Sequence, residues 1–81
     1  MSNKILLNIG FGNSVIIDKI VSIIQPNSAP VKRFIKKKES ENLLIDATMG
    51  KKVRSVLVLT DGITVLSAIS VQALTSRLEH E

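Results

Sequence analysis

Isoleucine, leucine and valine supply nearly all the apolar side chains of this chain, and Phe11 and Phe34 are its only large rings. At 81 residues and 44% hydrophobic content, the chain carries more aliphatic surface than a lone small core can absorb. A domain of this size hides only about 60–65% of the surface that its unfolded form exposes. Residues 1–81 therefore read as one domain that finishes burying its apolar surface against copies of itself.

Charge is distributed as unevenly as ring content. The net charge is +4, but residues 31–54 alone hold eight cations against Glu39, Glu41 and Asp46. The final third is net acidic. Such segregation points to a polyanionic partner, with nucleic acid ahead of an anionic membrane surface. The absence of cysteine excludes disulfides and thiolate metal sites. The first residues lack the apolar stretch of a secretory signal, and no segment approaches the ~18 apolar residues of a membrane span. A cytoplasmic location is the expectation.

The run Ile5 to Ile9 reads as a strand entering a turn at Gly10-Phe11-Gly12-Asn13, where the backbone takes positive φ or approaches another chain closely. Val15 to Ile24 reads as a second strand, kinked near Asp18-Lys19 and ended by Pro26. Ser28 as N-cap and Pro30 in the first turn predict a helix running to about Ser40. Its buried face is Val31, Phe34 and Ile35; Lys32, Arg33, Lys36, Lys37 and Lys38 are read as its outer face. Leu43 to Thr48 is a short strand, and Met49 to Lys52 a turn bent at Gly50. Arg54 to Thr60 and Ile63 to Ser67 form a hairpin over a two-residue Asp61-Gly62 link. Ser70 caps a terminal helix that buries Val71, Leu74 and Leu78. The fold class is α+β: a small, mostly antiparallel sheet with one central and one short C-terminal helix.

Little here supports catalysis. His80, the sole histidine, is the penultimate residue, and Asp18, Asp46 and Asp61 are scattered. Asp46 reads as a hydrogen-bonding partner for a lysine or a backbone amide. No metal-ligand cluster, phosphate-cradling loop or cofactor fingerprint is visible, so no cofactor is expected. The positive signal is basic. Lys51 and Lys52 come directly after a glycine at a turn tip, a place suited to touching phosphates and ill suited to stabilising a core. One phosphate contact is weak at physiological salt, so useful affinity requires summing many, and a symmetric assembly repeats the same tip. Scarce aromatics argue against single strands bound by stacking and favour double-stranded DNA.

Three stretches carry a resemblance: Asn8 to Asn13 around the paired glycines, Pro26 to Arg33 around the helix start, and Leu44 to Arg54 around Asp46-Ala47-Thr48 and Gly50-Lys51-Lys52. Together they resemble the RemA family of bacterial extracellular matrix regulatory proteins, over nearly the whole chain from about Lys4 to Leu78. The resemblance implies a DNA-binding activator of biofilm-matrix genes with a LytTR-like subunit. It also implies a homo-oligomeric ring of about seven to eight subunits, closed by rotational symmetry. By motif, the family's DNA-contacting arginines fall on Lys19, Lys51 and Lys52, and Arg54 adds a fourth cation. Lysine keeps the charge and gives up arginine's planar, bidentate grip. Gly10, Gly12 and Asn13 are assigned to subunit packing or turn geometry.

The rival reading is a structural or interaction module whose basic helix face, Lys32, Arg33, Lys36 and Lys37, meets an acidic protein or an anionic membrane. Binding that tracks these four residues, and not Lys51, separates the two readings.

Overall fold

The computed structural model describes residues 5–79; Lys4 and His80 lie outside them. Strands β1 (Leu6–Gly10) and β2 (Asn13–Ile16) form an antiparallel hairpin. A single 3-10 turn, Ile17–Lys19, leads into β3 (Ile20–Ile24). Helix α1 (Ala29–Ser40), β4 (Leu44–Asp46), β5 (Ser55–Leu59), β6 (Thr64–Ser67) and α2 (Val71–Glu79) complete the order. The second sheet runs β3-β5-β6-β4. Its ladders are antiparallel except for β4 on β6, which is parallel.

The expected kinked strand from Val15 to Ile24 is in fact two strands in two different sheets. The 3-10 turn at Ile17–Lys19 is where the chain leaves one sheet and enters the other. This break lets the hairpin fold back over the four-stranded sheet. Alternation along β5 and β6 then defines two faces. Leu57 and Val65 join Leu7, Ile9, Val15 and Leu74 in one buried cluster beneath the hairpin. Val56 and Leu66 point the other way, where α1, lying against β4, presents half-buried Val31, Phe34 and Ile35. A fully hidden aliphatic side chain such as Leu57 contributes about 1.5–3 kcal/mol relative to exposure.

Both helix starts obey their sequence signals. Ser28 Oγ accepts from Val31 N at 3.3 Å, and Ser70 Oγ accepts from Ala73 N at 3.1 Å. α2 is held to the hairpin by Arg77, whose Nη1 donates to the Asn8 carbonyl at 2.7 Å. The Asp61-Gly62 pair adopts the positive φ its chemistry favours, 66° and 79°. The Leu59 amide donates to the Ile63 carbonyl at 2.8 Å beyond the Val58–Thr64 pair, which makes the link three residues long, Thr60–Gly62, and not two. At the first turn, Gly10 takes the expected positive φ, 104°, and the close approach found there is within the chain: a Cβ on Gly10 meets Ile69 Cδ1 at 3.3 Å.

No helix among the described residues is long and apolar enough to cross a membrane. Several apolar side chains nonetheless stay in solvent. Leu6 and Ile16, paired across the outer face of the hairpin, are 56% and 47% exposed, and Ile45 is 54% exposed. The hairpin thus carries an apolar pair on its outer face as well, beside the polar pair Asn8–Ser14, and only its inner face is covered.

Candidate nucleic-acid interface

Asp46 ends β4 and organises the turn after it. Its Oδ1 accepts both the Thr48 amide at 2.9 Å and the Thr48 hydroxyl at 2.6 Å. The Thr48 carbonyl in turn accepts from Lys51 N at 3.0 Å. Met49 and Gly50 take positive φ, 54° and 81°, and reverse the chain. Lys51 and Lys52 are carried outward on this braced turn, both exposed. Arg54, also exposed, is fixed by its backbone amide donating to the Ser67 carbonyl at 2.8 Å. Asp46 is therefore the backbone-amide partner expected of it, and it braces the turn that carries Lys51 and Lys52.

The two Thr48 donors hold the Asp46 carboxyl below its ordinary 3.8, the hydroxyl bond contributing most and partial burial opposing it. A lowered folded-state value adds stability that is fully present above 3.8 and is lost as pH falls through the folded value. Asp46→Asn should therefore lower the melting temperature at pH 7. The gap to the parent should close as pH drops below 3.8, as tracked by thermal melts.

The sequence-selected cations do not form one cluster. β3 and β5 run antiparallel, with Ile20 opposite Leu59 and Ile24 opposite Val56. Lys19 sits at the first end of this ladder and Arg54 at the other, about 20 Å apart at ~3.3 Å per residue. Lys51 and Lys52 keep company with Arg54. Among the described residues, no carboxylate pairs with Lys19, Lys51, Lys52 or Arg54.

Helix α1 spans the distance between the two ends, and Lys32, Arg33, Lys36 and Lys37 are all exposed along it. Lys38 is not part of that outer face. Its side chain is only 16% exposed, its Nζ lies 5.3 Å from the centre of the Phe34 ring, and it pairs with Glu41 at 3.5 Å. Position 38 continues the 31, 34, 35 stripe at helical spacing, so the side chain is drawn inward and its charge is satisfied there.

Two features went unread in the sequence. Lys52 and Arg54 line a polar groove of about 170 Å³ together with Gln25, Asn27 and Gln72. An apolar cleft of about 350 Å³ opens between the hairpin and the sheet, bordered by Ile16, Ile45 and Lys19. The second had a legible signal: apolar residues at consecutive positions, Ile5-Leu6-Leu7 and Val15-Ile16-Ile17, mean that both faces of a hairpin seek cover. The groove had none, because its residues come from three separate segments. No group of three histidine, cysteine, aspartate or glutamate side chains among the described residues could hold a metal ion.

Comparison with known proteins finds a family and close relatives in sequence. A family profile described as extracellular matrix regulatory protein A-like (RemA-like) matches residues 6–78. A relative from Dictyoglomus turgidum is 53% identical over 74 residues, covering 91% of this chain and 87% of its own length. One from Bacillus cytotoxicus is 44% identical over 75 residues, covering 93% and 86%. Both bear the provisional name of regulatory protein.

Proposed function

This chain belongs to the RemA-like family of extracellular matrix regulatory proteins, and on that premise we propose that it regulates by binding double-stranded DNA as a homo-oligomer. The observation that carries the reading is the braced turn. Lys51 and Lys52 stand exposed and free of carboxylate partners among the described residues, on a backbone fixed through Asp46 and Thr48. Arg54 adds a cation beside them, and Lys19, at the far end of the sheet, offers a separate exposed charge.

A single subunit offers few phosphate contacts, and each contributes little at physiological salt. Repetition supplies the rest. The exposed Leu6–Ile16 pair and the cleft beside Ile45 are the surfaces through which copies associate. Such a contact joins unlike surfaces of successive subunits, a geometry that closes into a ring when the rotation permits. The lysines hold the backbone of a duplex and orient it; selection among sequences then rests on the shape and bendability of the DNA. A transcriptional activator of matrix genes in the cytoplasm is the role this reading assigns.

The test combines native mass determination with fluorescence anisotropy on duplexes of increasing length, repeated across a salt series. The expected result is an oligomer whose affinity falls steeply with salt and rises once the duplex exceeds a minimum length. A monomer that binds acidic vesicles or an acidic protein through Lys32, Arg33, Lys36 and Lys37, and ignores duplex DNA, would overturn it in favour of an interaction module.

A further inference from the structure

The groove at the Arg54 end of the sheet joins two cations of the basic turn region, Lys52 and Arg54, to uncharged residues that neither that turn nor the helix face accounts for. Gln25 and Asn27 come from the segment between β3 and α1, Gln72 from the first turn of α2, and Lys52 and Arg54 from the approach to β5. Three carboxamides and two cations thus converge on one concavity. No carboxylate lines it. Gln25, Asn27, Lys52, Arg54 and Gln72 are each exposed, so their polar ends are available to a ligand.

We propose that this groove is a seat for one phosphodiester of the DNA backbone, with Arg54 and Lys52 supplying charge and the carboxamides of Asn27, Gln72 and Gln25 supplying neutral hydrogen bonds. The seat rests on the DNA-binding reading and goes beyond it by assigning the contact to a defined pocket with uncharged members. Size and shape select the ligand. At about 170 Å³ the groove is smaller than the ~300–1,000 Å³ pockets that enclose whole small molecules. It is several times the ~30 Å³ share of a water molecule. Base edges lie recessed in the grooves of a duplex and are reached by protruding side chains. A phosphate projects from the duplex and enters a hollow. Charge separates the two kinds of lining residue: salt dependence counts cations that displace counterions, whereas a carboxamide adds affinity without displacing any. The seat therefore has a signature that lysines alone lack.

The full-length chain is titrated with two duplexes of unrelated sequence at several salt concentrations. Asn27→Ala combined with Gln72→Ala should weaken binding to both duplexes about tenfold for each engaged subunit at every salt concentration, the effect of two hydrogen bonds of ordinary strength. Its salt slope should match the parent's. Arg54→Ala should instead lower the slope by about 0.9 for each engaged subunit. Gln72→Glu, which keeps the size of the side chain and adds a negative charge, should weaken binding further than Gln72→Ala. Full affinity in the Asn27/Gln72 double variant overturns the seat and leaves the DNA-binding reading standing. A loss confined to one duplex also overturns it, since that makes the carboxamides readers of bases. Calorimetric titration with inorganic phosphate and with a mononucleotide forms the other arm. Saturation below 1 mM by either (roughly −4 kcal/mol or stronger), lost in the double variant, transfers the groove to a free phosphate ligand and overturns the backbone assignment. A parent chain that binds neither duplex removes the DNA-binding reading itself.

Discussion

Alanine at both Lys51 and Lys52 should reduce affinity for duplex DNA by about 100-fold or more near physiological salt, while the number of subunits in the native assembly stays that of the parent. The size of the effect comes from multiplication. Each phosphate contact contributes about 0.9 to the slope of log affinity against log salt, so the double variant loses roughly 1.8 for every subunit that touches the duplex. The fold should be untouched. Both side chains are exposed and unpaired with any carboxylate among the described residues, and the turn beneath them is held by Asp46 and Thr48. Anisotropy at four or five salt concentrations reads the slope, and circular dichroism reads the fold. A variant that binds as the parent does moves the interface away from this turn. Arginine at the same two positions should retain the slope and strengthen binding, because a guanidinium grips a phosphate with two parallel hydrogen bonds.

The second large effect is expected from the opposite property, exposed aliphatic surface. Leu6→Glu with Ile16→Glu places two carboxylates opposite one another on the outer face of the hairpin, where the parent shows side chains 56% and 47% exposed. In an isolated subunit this change costs little, since neither residue belongs to the buried cluster. In an assembly that covers the hairpin it strands charge in an apolar contact, which costs several kcal/mol per ion. Native mass spectrometry should therefore report subunits, and duplex affinity should fall by two orders of magnitude or more as the multiplied contacts are lost. An unchanged oligomer places the subunit contact elsewhere.

Local chemistry was the legible part of this fold. Ser28 with Pro30, and Ser70 before Val71, fixed two helix starts because a cap is a short-range hydrogen bond that the sequence spells out. Ile17 to Lys19 carried no such signal. The residues flanking that turn are mostly β-branched and uninterrupted by glycine or proline, so the polar Asp18-Lys19 pair marked a kink but not the change of sheet. The parallel pairing of three-residue β4 with β6 is likewise set by packing between distant segments. At the candidate site, the exposure of Lys51, Lys52 and Arg54 was readable, because a glycine turn projects the residues beyond it. The inward turn of Lys38 needs one more step of helical spacing: 31, 34, 35 and 38 form a single stripe. The separation of Lys19 from Arg54 depends on strand direction, and Gln25, Asn27 and Gln72 meet only once three segments have packed.

The double acceptance of Thr48 by Asp46 has a consequence for how the lysine turn meets any partner. A loop that orders only on contact surrenders conformational entropy at that moment, roughly 1–2 kcal/mol per residue. Here the backbone from Thr48 to Lys51 is already set by hydrogen bonds of 2.6 to 3.0 Å. Folding has borne that cost in advance. The part that reaches outward is two pliant stems on a stiff base, able to match irregular spacing without loosening their foundation.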